Sequence, residues 1–73
     1  MDKPRNMSLV RFTYGDIPIS YRDDYPFTEG ENCVFLGEIV NMPLHCVVTR
    51  VSDGKTYSGY HTENFIELTE EEV

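Results

Sequence analysis

The stretch that decides the fold is Leu44-His-Cys-Val-Val-Thr-Arg-Val-Ser-Asp-Gly-Lys-Thr-Tyr-Ser-Gly-Tyr-His61. Two runs rich in β-branched and aromatic side chains flank Ser52-Asp-Gly-Lys55. Asp-Gly supplies the positive φ angles that a primed hairpin turn requires. The spacing predicts a strand over residues 44–51 and its return over 56–61. Upstream, residues 32–40 form a second strand-like run, joined to the hairpin through Asn41-Met-Pro43. Gly37 lies inside that run, where a glycine signals a bulge or a close backbone approach. Downstream, Thr62-Glu-Asn64 makes a short turn into a last strand, Phe65-Ile-Glu-Leu68. The first strand is Ser8-Leu-Val-Arg-Phe-Thr-Tyr14, which stops at Gly15-Asp16. Pro18 demotes the next segment to an edge or loop, and residues 22–31 read as an acidic turn region.

The chain contains no alanine, glutamine or tryptophan. Missing its best helix former, it favours strands throughout. Its 73 residues allow one small domain, whose unfolded chain buries only roughly 60% of its surface on folding. Five short strands and one long early loop point to a small all-β barrel over residues 8–68. A flexible arm over 1–7 and an acidic tail over 69–73 are expected outside it. Barrel closure would remove exposed edges.

The net charge is −7. Residues 1–11 carry Lys3, Arg5 and Arg11 against Asp2, or +2; residues 12–73 carry three bases against twelve acids, or −9. Phosphate backbones and anionic membrane surfaces attract basic faces, so nucleic-acid and membrane partners are disfavoured. A basic protein partner fits better. No run approaches the roughly 18 apolar residues of a membrane span. The opening residues have no apolar core of a secretory signal. A cytoplasmic location follows, with Cys33 and Cys46 as free thiols.

The order of these signals resembles that of an SH3 domain. Phe27-Thr-Glu-Gly-Glu31, followed by Cys33 and Phe35, is similar to the turn and strand after the family's RT loop. Gly59-Tyr-His-Thr-Glu-Asn-Phe-Ile66 is similar to its closing segment. Val10-Arg-Phe-Thr-Tyr14 stands for the ALYDY strand, Val48 takes a small core site and Gly54 the distal turn. The resemblance implies a five-stranded SH3-like barrel with a long acidic RT-type loop. It also implies a groove for an extended peptide, built on Phe12, Tyr14, His45, Tyr60, Asn64 and Phe65, with Asp23, Asp24, Glu29 and Glu31 reading a basic ligand. The family's groove tryptophan is replaced by His45 and its proline by Thr62, so the groove is altered. The position of His61 is usually apolar and inward, which implies a core histidine bonded to backbone.

Cys33, His45, Cys46 and His61 are the thiol and imidazole donors of the chain. Neighbours 45 and 46 on a strand point to opposite faces, so the four do not converge on a metal, and none is expected. A Cys46–His61 nucleophile pair has no third group or oxyanion pocket suggested by spacing. The expectation is therefore a non-enzymatic, cofactor-free interaction module, monomeric or weakly dimeric, that holds an extended basic segment of a partner protein. The alternative is an acidic inhibitor or nucleic-acid mimic that fills a basic groove on another protein.

Overall fold

The computed structural model describes residues 4–69. Five strands form one antiparallel sheet: β1 (Ser8–Phe12), β2 (Asn32–Ile39), β3 (Met42–Arg50), β4 (Thr56–His61) and β5 (Phe65–Glu67), in the order β4-β3-β2-β1-β5. One 3-10 helix, Ile19–Asp24, interrupts the long β1–β2 connection, and a second, Thr62–Asn64, links β4 to β5.

Alternation along the strands decides which side chains turn inward. Val10 and Phe12 of β1, Cys33 and Phe35 of β2, Cys46 and Val48 of β3 and Phe65 of β5 are buried together. Phe27, from the loop before β2, completes this core. Its ring lies 5.0 Å from Phe12, 5.3 Å from both Tyr57 and Tyr60, and 5.4 Å from Phe65.

The all-β, five-stranded expectation is met, but the hydrogen-bonded ladder stays open. Strand β5 pairs with β1, and β4 pairs with β3. No ladder joins β4 to β5 among the described residues. Three residues of 3-10 helix link these strands, which stand at opposite ends of the sheet order. The seam is covered by rings instead: Phe27 touches β1, β4 and β5 at once.

Two bulges involve glycines, and the sequence marked the one at Gly37. Leu36 is an extra residue in β2, because Phe35 pairs with Val48 and Gly37 with Val47. Gly59 is extra in β4, because Cys46 pairs with Tyr60 and Val47 with Ser58. Gly59 has φ 89°, a left-handed conformation that a bulge requires and an L side chain resists. The β3–β4 loop is longer than a two-residue primed turn. Arg50 N–H donates to the Lys55 carbonyl and Gly54 N–H to the Arg50 carbonyl, and Gly54 alone within the loop takes positive φ.

Part of the expected N-terminal arm is tied down. The Arg5 N–H donates to Glu67 at 2.7 Å and its guanidinium pairs with the same carboxylate at 3.1 Å. Met7 N–H donates to the Phe35 carbonyl. Residues 1–3 of the arm and 70–73 of the tail lie outside the described residues. No helix among the described residues is long and apolar enough to cross a membrane.

Candidate functional site

A cleft of about 390 Å³ opens where the β1–β2 loop meets the β4–β5 turn, lined by Gly15, Asp16, Ile17, Tyr25, His61, Glu63 and Asn64. Asn64 holds its two banks together. The side chain is buried, and Nδ2 donates to the carbonyls of Thr13 at 2.9 Å and Tyr14 at 3.3 Å. Gly15 passes close by at φ 55°, and a Cβ there would lie 3.7 Å from Asn64 Nδ2. Asp16 and Glu63 are exposed on opposite banks, while Tyr25 is half-buried between them. The site thus combines an aromatic wall with two carboxylates that face solvent.

The residues singled out from sequence divide into three groups. Phe12 and Phe65 are enclosed in the core, at 0% and 3% exposure, and offer no surface to a partner. A 73-residue sheet needs both rings for its interior. They support the site from beneath: Phe12 meets Tyr14 edge-on at 5.0 Å and Tyr25 at 6.0 Å.

Tyr14, Glu29, Glu31 and Asn64 brace the loop. Tyr14 Oη donates to the Phe27 carbonyl at 2.6 Å, and the Arg22 guanidinium covers its ring at 4.9 Å. Glu29 accepts from the Tyr14 N–H at 3.0 Å and from Thr13 Oγ1 at 3.3 Å. Glu31 accepts from the Thr28 N–H and from Ser52 Oγ, with Arg50 4.0 Å away. These two carboxylates are therefore engaged by the protein's own donors.

The third group remains accessible. Asp23 and Asp24 are exposed on the first 3-10 helix, away from the cleft lining. Tyr60 is half-buried, 5.5 Å from Tyr25, and burial beside Tyr57 and Tyr25 raises its phenol pKa. His45 is half-buried on the outer face of β3, and its Nδ1 lies 3.0 Å from the Pro43 carbonyl.

His61 is exposed, which corrects the expectation of a core histidine. The Gly59 bulge shifts the alternation by one, turning Tyr60 inward and His61 outward. The same shift separates His61 from Cys46, which is buried in the core. Burial pushes the Cys46 thiol up to about 11 and the Cys33 thiol up to about 12. That is the opposite of the lowered pKa that activates a cysteine nucleophile.

Sequence reasoning missed Gly15, Asp16, Ile17, Tyr25 and Glu63 as cleft residues. Tyr25 sits in a loop with no period from which to read its direction. No protein-family model matches the chain, and comparison with curated proteins and with solved structures gives no significant match.

Proposed function

We propose that this chain is a non-enzymatic interaction module of SH3-like type that holds an extended, basic segment of a partner protein. The observation that carries the reading is the cleft between Gly15–Ile17 and His61–Asn64, with Tyr25 as its wall and Asp16 and Glu63 on its banks. A tyrosine wall gives a large contact area at small entropic cost, and its polar edge suits peptide backbone. Two surface carboxylates, without an ion pair among the described residues, favour a lysine or arginine between them and speed its encounter. The net charge of −7 acts in the same direction. The strand order, the long first connection and the 3-10 turn before β5 support the SH3-like assignment, with the seam covered by Phe27 rather than by a ladder.

The mode of recognition differs from the sequence expectation in its residues. Tyr25, Asp16 and Glu63 take the place of Phe12, Phe65, Glu29 and Glu31 as contact groups, while Asp23 and Asp24 form a separate acidic patch on the 3-10 helix. An array of extended peptides, varied in charge and proline content, tests the reading. Peptides carrying arginine or lysine should be retained, and Asp16→Lys with Glu63→Lys should abolish retention. Loss of binding on Asp23→Lys with Asp24→Lys, and not on the cleft changes, supports instead an acidic inhibitor that presents its surface charge to a basic groove.

A further inference from the structure

We infer that His45 and His61 form a binding site for a divalent cation that favours imidazole, with Zn²⁺ as the reference ion. The two residues are direct cross-strand partners in the β3–β4 register. Their ring centroids are 4.5 Å apart, with planes inclined at 43°. Neither is recruited to the core. The pairing depends on two irregularities. The Gly59 bulge turns His61 outward, opposite His45, and a break in the β2–β3 register frees His45 from β2. Ile39 pairs with Met42 while Glu38 pairs with Cys46, so Pro43–His45 loops out from β2.

The hydrogen bonding of His45 prepares it as a ligand. Its Nδ1 is 3.0 Å from the carbonyl of Pro43. A carbonyl only accepts, so in the neutral ring the proton sits on Nδ1 and the lone pair on Nε2. Metal-bound imidazoles are held this way, with the far nitrogen donating to a backbone carbonyl or carboxylate. His61 is exposed, and its ring rotates without breaking a described side-chain hydrogen bond. Two imidazole nitrogens on one tetrahedral Zn²⁺ stand about 3.3 Å apart, given Zn–N bonds of about 2.0–2.1 Å. With the metal in the plane of each ring, that spacing sets the ring centroids about 5 Å apart, close to the 4.5 Å of this pair.

No group of three or more His, Cys, Asp or Glu side chains gathers among the described residues. The protein therefore supplies two ligands, and water completes the coordination. Such a site is open and exchangeable, unlike the closed four-ligand sites that hold a fold together. Soft-to-borderline ions are selected over Ca²⁺ and Mg²⁺, which prefer oxygen donors. Because His61 also lines the cleft, occupancy fixes one wall of it. The metal site rests on its own geometry and stands whether or not a peptide binds.

The test titrates the chelator-stripped full chain with ZnSO₄ by calorimetry, while ¹⁵N-detected spectra follow the histidine ring nitrogens. One Zn²⁺ should bind per chain, with Nε2 of both rings shifting together, and CaCl₂ should give no heat. His45→Gln and His61→Gln should each weaken binding by about tenfold or more, with the urea midpoint of the metal-free protein unchanged in His61→Gln. Zinc binding that His61→Gln leaves intact, shifts in only one ring, or comparable Ca²⁺ binding would overturn the assignment.

Discussion

Asn64 does the work of a strut between two elements far apart in sequence. Its amide donates to Thr13 and Tyr14 across the mouth of the cleft. Removing a buried donor strands the acceptors it served, at a cost of about 1–3 kcal/mol. Asn64→Ala should lower stability by that amount in urea unfolding. Asn64→Asp should cost more, because a carboxylate cannot donate to two carbonyls. The buried thiols make a second residue-scale prediction. Cys33 and Cys46 ionise at about 12 and about 11 in the fold, above the roughly 8.5 of an unfolded thiol. The unfolded chain therefore releases protons first as pH rises. The stabilisation is fully present below pH ~8.5 and declines above it, by up to about 1.4 kcal/mol per pH unit for each thiol until the folded groups titrate. Urea midpoints measured from pH 7 to 10.5 should fall, and Cys33→Ser/Cys46→Ser, although less stable at pH 7, should fall less steeply.

At the scale of elements, the strands were legible because alternation and turn residues agree. Runs at 8–14, 32–40, 56–61 and 65–68 contain four of the strands and 44–51 most of the third, which begins two residues earlier, at Met42, inside the expected Asn41-Met-Pro43 turn; Gly37 announced its bulge. What could not be read was the phase of β4. Gly59 interrupts a six-residue strand, and nothing local says whether it is a paired residue or an extra one. That single residue decides that Tyr60 points in and His61 out. Gly59→Ala should therefore cost about 1–2 kcal/mol through its positive φ, since no atom lies within 4 Å of the added Cβ. A synthetic chain with D-alanine at position 59 accepts that φ and should keep most of the stability. Equal losses with both enantiomers would point to packing instead. The first strand shows the other limit of reading. Phe12 and Tyr14 share one face in sequence, but only the fold shows that Phe12 is enclosed while Tyr14 is tied to Phe27.

For the whole molecule, the question is how an open five-stranded sheet holds a shape. Its two ends meet on one side chain, Phe27, whose ring contacts span β1, β4 and β5. Truncating a buried phenylalanine costs about 3–5 kcal/mol, a large share of the 5–15 kcal/mol that a small domain commands. Phe27→Ala should lower the unfolding free energy in urea by about 3–5 kcal/mol, followed by near-ultraviolet circular dichroism and amide dispersion. The cleft depends on the same closure, because its banks come from the loop that carries Phe27 and the turn that joins β4 to β5. Net charge, readable at once, raised the expectation of a basic partner; where that charge meets a wall of the molecule needed the fold. The most direct measurement is an amide NMR titration of the full chain with an arginine-containing peptide retained on the array. The account predicts that shifts concentrate at Gly15–Ile17, Tyr25 and His61–Asn64 and vanish in Asp16→Lys/Glu63→Lys. Shifts confined to the Asp23–Asp24 helix, unchanged by the cleft substitutions, would contradict it.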